Sequence, residues 1–317
     1  MRAVLLSEFG PPEVLVPADV PDPVPGPGQA LIDVEIANIT FVETQIRAGK
    51  APRALELQLP VIPGNGVGGL VSAVGEATDG ALVGTRVITS TGGSGGYAER
   101  VAVDAAGLLP VPDAVGLPEA VALLADGRTA MSLMRAAQVR PDETVLVEAA
   151  AGGVGSLLVQ LAAGAAARVI AAAGGERKLQ VARDLGADEA VDYNQAGWTE
   201  RVRDGVDVVF DGVGGGIGRA AFDLVRPGGR FCALGLASGA FTNIPDADAA
   251  RRNVTVVRGT RLEPEQLREL SRAALAEAEA GRLRPVIGQT FPLERAAEAH
   301  AAIEARGTFG KTLLRVL

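Results

Sequence analysis

One stretch limits what this chain can become: Thr144-Val-Leu-Val-Glu-Ala-Ala-Ala-Gly-Gly-Val-Gly-Ser-Leu-Leu-Val-Gln-Leu-Ala162. Thr144 to Ala149 is a short run rich in Val and Leu that reads as a buried strand, and Val154, Leu157, Leu158 and Leu161 then recur at helical spacing. Between them Ala150, Gly152 and Gly155 stand at the spacing of a G-x-G-x-x-G fingerprint, with alanine at the first glycine. The first position makes the tight turn, Gly152 lets the backbone approach a pyrophosphate, and Gly155 lets helix and strand pack closely. The start of the helix adds free N–H groups and the positive end of its dipole. A dinucleotide is therefore expected at Ala150, Gly152, Gly153, Val154 and Gly155.

The chain on either side supports this reading. Strand-like runs at Thr144–Ala149, Arg168–Ala173, Glu189–Asp192, Asp207–Phe210, Arg230–Leu234 and Val254–Val257 alternate with helical or loop segments. Six such strands predict a doubly wound parallel sheet with its ligand at the carboxyl ends. Before about Pro112 the pattern is different: short runs such as Arg2–Leu6, Ala30–Ala37, Val67–Val74, Arg86–Thr89 and Tyr97–Val103 are broken by Pro and Gly. They predict barrel-like β structure, interrupted by one helix near Thr40 to Ala48. Beyond residue 258 come a helix, a strand, a helix and a strand, too few to fold alone, so they are expected to return to the first domain. The expected domains of this α/β chain are residues 1–115 with 259–317, and residues 116–258. Of two further glycine runs, residues 91–96 lead into a strand and read as a mobile loop, whereas residues 212–218 follow a strand on the cofactor edge.

Composition removes several functions. A net charge of −8 and 3% aromatic residues argue against a nucleic-acid partner. The apolar region from Val145 to Ala173 is broken by Glu148, Gln160, Arg168 and glycines, which excludes a membrane span there, and the apolar run after Arg2 is too short for a signal peptide. A cytoplasmic location is expected. With one cysteine, Cys232, and one histidine, His300, the chain cannot assemble the ligands of a catalytic or structural zinc, and no metal site is expected. Cys232 reads as a small buried hydrophobe and His300 as a structural or surface residue. Neither Tyr97 nor Tyr193 is followed four residues later by lysine, so a tyrosine-lysine reductase pair is absent too.

The missing acids and bases narrow the chemistry. Reducing a simple ketone builds an alkoxide that wants a metal or a proton donor as the hydride arrives. A quinone, or a carbon-carbon double bond conjugated to a carbonyl, spreads that charge over a phenolate or enolate that water protonates later. As for the cofactor, the second strand ends in Ala173-Gly174-Gly175, without the acid that holds an NAD ribose. Glu176 follows as a complication, but Arg177 and Lys178 come next, and Lys178 is one of only three lysines among 30 Lys and Arg residues. Lys178 is expected to read a 2′-phosphate, and the cofactor is expected to be NADPH.

These residues also resemble a known family. Ala149-Ala-Ala-Gly-Gly-Val-Gly155, Ala182-Arg-Asp-Leu-Gly-Ala-Asp188, Asp192-Tyr193, Asp207-Val-Val-Phe-Asp211 and Pro227-Gly-Gly-Arg230 look like the zinc-free quinone oxidoreductase branch of the medium-chain dehydrogenase/reductase superfamily. The similarity runs nearly end to end, from Met1-Arg-Ala-Val through Glu8-Phe-Gly-Pro-Pro-Glu-Val-Leu15 and Gly96-Tyr-Ala-Glu99. It implies a GroES-like β-barrel built from both chain ends, a Rossmann domain, NADPH in the cleft and a homodimer, which the apolar edge Val254-Thr-Val-Val257 could form. It further implies that Gly152, Gly153, Val154 and Gly155 hold the pyrophosphate and that Lys178 and Tyr193, beside Gly174, flank the 2′-phosphate. Thr129, in a turn from Asp126 to Ala130, would lie near the nicotinamide, with Gly235, Ser238 and Arg306 lining the rest of the cofactor site.

The chain departs from the branch on the substrate side. Thr40-Phe-Val-Glu-Thr-Gln45 stands where asparagine and later tyrosine are common, Ala51 replaces an aromatic, and the frequent Pro-Gly-x-Glu reads Pro63-Gly-Asn-Gly66. Thr40 and Gln45 are the expected acceptor-side residues, with Thr40 as hydrogen-bond donor or as helix cap. The expected function is NADPH-dependent hydride transfer to a quinone or enone. An enoyl reductase in a biosynthetic pathway and an NADPH-binding protein with little turnover, as in the branch's lens crystallins, stay open.

Overall fold

The computed structural model describes residues 1–50, 57–259 and 262–317, so Ala51 lies outside the described residues. Its elements in chain order are β1 (Arg2–Leu6), β2 (Leu15–Asp19), β3 (Gln29–Ile39), α1 (Phe41–Arg47), β4 (Gly66–Val74), β5 (Arg86–Ser90), β6 (Arg100–Asp104), β7 (Leu109–Pro110), α2 (Leu117–Ala137), β8 (Thr144–Glu148), α3 (Gly153–Gly164) and β9 (Arg168–Ala173). They continue as α4 (Glu176–Asp184), β10 (Glu189–Asp192), β11 (Val206–Asp211), α5 (Gly215–Asp223), β12 (Val225–Ala233), α6 (Asp246–Arg251), β13 (Thr255–Arg258), α7 (Pro264–Glu279), β14 (Ile287–Pro292), α8 (Ala296–Glu304) and β15 (Lys311–Arg315).

Two compact units form, one of Met1–Ala125 with Pro285–Leu317 and one of Asp126–Arg284. The first unit holds a seven-stranded sheet ordered β14-β15-β3-β4-β5-β7, with β6 pairing β3, and a separate β1-β2 hairpin. Long β3 alternates along its first half, with Ala30, Ile32, Val34 and Ile36 buried, and packs its inner face with Val67, Val71, Tyr97 and Leu314. This is the expected GroES-like architecture, although the pairings run as an open path and close no barrel among the described residues.

The second unit holds six parallel strands in the order β10-β9-β8-β11-β12-β13, the doubly wound order of a dinucleotide-binding sheet. Central β8 is buried at every residue, as a parallel strand covered on both faces must be. Leu146, Ile170, Val209, Phe222 and Phe231 share one core, the two phenylalanines meeting edge to face at 5.5 Å. The order reverses between β8 and β11, so the crevice at their carboxyl ends is where a ligand is expected.

Three expectations need correction. Residues 262–284 sit in the second unit, and the divisions fall at Ala125/Asp126 and Arg284/Pro285 rather than at 115/116 and 258/259. Side-chain bonds bring the segment there: Gln160 Nε2 donates to Arg284 O (2.9 Å), Arg284 N donates to Gln160 Oε1 (2.9 Å), and Arg135 pairs with Glu269. Asp126 to Ala130 is no turn but the middle of α2. The glycine run 91–96, read as a mobile loop, is tied to residues 62–64 by Gly95 N to Ile62 O (2.6 Å) and Gly96 N to Gly64 O (3.1 Å). No described helix is long and apolar enough to cross a membrane.

Candidate functional site

The glycine turn begins where β8 ends. Ala149 adopts φ +48°, a left-handed conformation that glycine usually takes, and Gly152 N donates to its carbonyl oxygen (2.7 Å). Because Ala149 carries that conformation, Ala150 need not be glycine. Ala150 is fully buried and its N–H donates to Ala172 O (3.1 Å), stitching the turn to β9. A Cβ at Gly155 would stand 2.2 Å from Ala149 O, so only glycine lets α3 settle on the turn. Gly152, Gly153 and Val154 remain half-exposed at the start of α3, as a phosphate cradle requires. An unforeseen neighbour is Asp126 of α2, whose Oδ2 lies 2.0 Å from where a Gly153 Cβ would be.

A second corner forms beyond β9 and β10. A Cβ on Gly174 would meet Asn194 Nδ2 at 2.6 Å and Tyr193 Cε2 at 3.3 Å, and Tyr193 N donates to Ala173 O (3.3 Å). Gly175, at φ +86°, precedes α4, whose first turn carries Lys178. Gly174 thus lies against Tyr193, and Lys178 follows four residues later at the start of α4. Glu176, the acid that complicated the cofactor reading, is exposed and paired with Arg183.

The third part follows β11. Asp211 Oδ1 accepts from Val213 N (3.0 Å) and Gly214 N (2.6 Å), and its Oδ2 accepts from Thr242 Oγ1 (2.5 Å). This anchors the 212–218 glycine run. Ser238 N donates to Val213 O (2.7 Å), and a Gly235 Cβ would stand 2.2 Å from Gly212 O, so both expected residues lie against that run. Sequence reasoning did not single out Asp211, although an acid at a strand end before glycines was a usable signal. Beside it Glu148 is 1% exposed with neither carboxyl oxygen partnered. Burial, together with the neighbouring Asp211, pushes its carboxyl well above the usual carboxylate range.

In the first unit Thr40 precedes α1. Its N–H (2.6 Å) and its hydroxyl (2.7 Å) both donate to Glu43 Oε2, while Asn65 N donates to Glu43 Oε1 (3.0 Å). The Thr40 proton is therefore committed to Glu43, as the capping alternative anticipates. Burial pushes Glu43 up, against the lowering effect of Thr40 and Lys311. Gln45 Nε2 donates to Thr44 Oγ1 (3.1 Å). Arg306, at φ +55° just after α8, is exposed and belongs to this unit, whereas Thr129 on α2 belongs to the second unit with the other residues expected to meet the cofactor.

His300 is fully buried, with Nε2 3.0 Å from Tyr97 Oη and Nδ1 without a partner; burial, then Arg47, lowers its pKa to about 3. Burial likewise pushes the Cys232 thiol up to about 12. Among the described residues no group of three or more His, Cys, Asp or Glu side chains is placed to hold a metal.

A doubly wound sheet with a glycine turn at its switch point, in one chain with a GroES-like unit, defines a two-domain dinucleotide oxidoreductase. The Alcohol dehydrogenase GroES-like domain model matches residues 26–113 and the Zinc-binding dehydrogenase model residues 185–314. A quinone oxidoreductase of Pongo abelii is 32% identical over 322 residues, covering 99% of this chain and 97% of its own. A 2-haloacrylate reductase of a Burkholderia species is 30% identical over 328 residues, covering 99% and 98%. Among solved structures, the Thermus thermophilus quinone oxidoreductase, determined alone and with NADPH, is 35% identical with a TM-score of 0.81 and full coverage of both chains. An NAD-dependent alcohol dehydrogenase is 34% identical with a TM-score of 0.90, again with full coverage of both. The chain belongs to the quinone oxidoreductase branch of the medium-chain dehydrogenase/reductase superfamily.

Proposed function

We propose that this protein uses NADPH to reduce a quinone or another conjugated carbonyl compound without a metal. The observation that carries the cofactor choice is Lys178 in the first turn of α4, just beyond Gly174, with Glu176 of the same turn paired to Arg183. NADPH, when bound, supplies a hydride. Ala150, Gly152, Gly153, Val154 and Gly155 would hold its pyrophosphate, since Gly152, Gly153 and Val154 are half-exposed at the start of α3 and Gly155 lets that helix settle on the turn. Lys178 and Tyr193, beside Gly174, would hold the 2′-phosphate. Gly235, Ser238 and Arg306 would contribute to the rest of the site, and Thr129 to the nicotinamide end. On the acceptor side we assign Gln45 and Thr40, whose hydroxyl proton is held by Glu43 and whose oxygen is left to accept a hydrogen bond.

Conjugated acceptors fit because neither the histidine nor the cysteine of this chain is available to protonate an alkoxide. Its single histidine is neutral and buried on Tyr97, and its single cysteine is a buried thiol far from ionising at neutral pH. The same two residues cannot serve as zinc ligands where they lie. A 2-haloacrylate reductase among the relatives is an acceptor chemistry of the same kind and keeps an enoyl reductase as the second reading. We also propose that the protein acts in the cytoplasm, as a homodimer.

NADPH oxidation measured against quinones, enones and enoyl thioesters tests the proposal. Turnover with at least one conjugated class, insensitive to EDTA, is expected. A chelator that abolishes turnover, with recovery on zinc, would overturn metal independence. Cofactor fluorescence that is quenched on binding but never consumed would select a binding protein instead.

A further inference from the structure

Asn38 is a buried polar residue that the site above does not use. It lies near the end of β3, one residue beyond Ala37, whose partner across the sheet is Val67 of β4. Its side chain is 1% exposed and its Oδ1 has no hydrogen-bond partner. An orphaned buried amide oxygen destabilises the fold, a cost that Val or Ile at this strand position would avoid. Gly66 makes the room for it. A Cβ there would stand 2.7 Å from Asn38 Nδ2 and 2.9 Å from Leu124 Cδ2, so the glutamate frequent in the branch at this position and the Asn38 amide compete for one space.

The surroundings point to a ligand. Residues 38 and 40 project to the same side of an extended segment, which puts Asn38 next to Thr40. Glu43 then ties Thr40 to Asn65, the neighbour of Gly66, so Asn38, Thr40 and Gly66 share one corner of the first unit.

We infer that the Asn38 amide binds the acceptor's oxygen: it donates to the carbonyl of a quinone or enone and accepts from the hydroxyl of a hydroquinone product. The inference rests on the conjugated-acceptor reading and names the group that meets the acceptor there. An amide suits both ends of the reaction, carrying a donor and an acceptor that exchange places when the group turns over. It has no charge to repel the phenolate or enolate, and its donor strengthens as negative charge builds on oxygen. A carboxylate in the same space would do so only while protonated.

The test uses 1,4-naphthoquinone with Asn38→Ala and Asn38→Asp, reading calorimetric binding to the NADP⁺-loaded protein and NADPH oxidation from pH 5 to 9. Asn38→Ala is expected to weaken naphthoquinone binding and kcat/KM by tenfold or more, to leave NADPH affinity within twofold, and not to lower Tm, because it removes an unpaired polar atom. Asn38→Asp is expected to approach wild-type activity at pH 5 and to lose it as pH rises, since the new carboxyl is buried and must be protonated to donate. Unchanged naphthoquinone affinity in Asn38→Ala, or an Asn38→Asp to wild-type ratio flat with pH, would overturn the inference. Should Asn38→Ala fail to fold, Gly66→Ala displaces the amide without deleting it, and intact binding there would count equally against the role. A wild type that binds naphthoquinone without oxidising NADPH defeats the reductase reading but leaves the binding comparison to decide on Asn38. A wild type that binds none defeats both.

Discussion

Lys178 is the residue at which the choice between phosphorylated and unphosphorylated cofactor should be made. It stands in the first turn of α4, just beyond the end of β9, where an NAD-selective site would place a carboxylate and this chain has Gly174. One charge-assisted hydrogen bond contributes about 1.5–3 kcal/mol, so Lys178→Ala should weaken NADPH binding about tenfold to a hundredfold and leave NADH nearly unchanged. Fluorescence titration with both cofactors checks this, and equal losses would show that Lys178 does not read the phosphate. Residues of this kind were legible because their signal is local: a lysine at a helix start, or glycines spaced across a turn. Asn38 and Glu148 were not, because what makes them unusual is a neighbour distant in sequence, whereas Asp211 carried a local signal, an acid at a strand end before glycines. Asn38 meets Gly66, and Glu148 meets Asp211, across strands that no spacing rule connects.

At the scale of elements, the parallel sheet could be read because each of its strands is a compact apolar run followed by a glycine or a helix. α2 could not. Ala120 to Leu124 are all buried, so this part of the helix shows no amphipathic period, and Gly127 then imitates a turn. α7 was assigned to the wrong unit because its sequence says that it is amphipathic but not what covers Leu270, Ala274 and Leu275. The edge strand β13 carries a prediction. Among the described residues it ends the sheet order and pairs only with β12, while Val256 and Val257 stay half-exposed and no bulge or proline blunts the edge. Pairing with the same strand of a second copy would cover it, so light scattering at micromolar concentration should give a dimer and Val257→Lys should shift it towards monomer. A monomeric wild type would defeat the proposal.

Across the whole molecule, the dependence of stability on pH should carry two opposite signatures, one from a buried group in each unit. His300, in the first unit, has its pKa lowered from 6.5 to about 3. Between those values the unfolded chain takes up a proton that the fold refuses, so the contribution is intact above about pH 6.5 and is lost as pH falls, at up to about 1.4 kcal/mol per pH unit. Glu148, in the second unit, is shifted the other way. Its contribution is intact below the ordinary value of about 4.3 and is lost as pH rises from there through its raised value, because the folded chain holds a proton that the unfolded chain releases. For units of this size 1 kcal/mol moves Tm by about 2–4 °C, so each slope amounts to roughly 3–6 °C per pH unit. Glu148→Gln keeps the shape and cannot ionise. Measured by calorimetry from pH 4 to 8, its Tm should gain on the wild type as pH rises from about 4.3 towards the raised pKa of Glu148 and hold that gain beyond it. His300→Gln removes the opposite term, so its deficit against the wild type should be largest at pH 7 to 8 and should shrink towards pH 4. A variant curve parallel to the wild type across the range would mean that the group titrates alike in the folded and unfolded chain, and that its burial does not set the acid or alkaline limit of this fold.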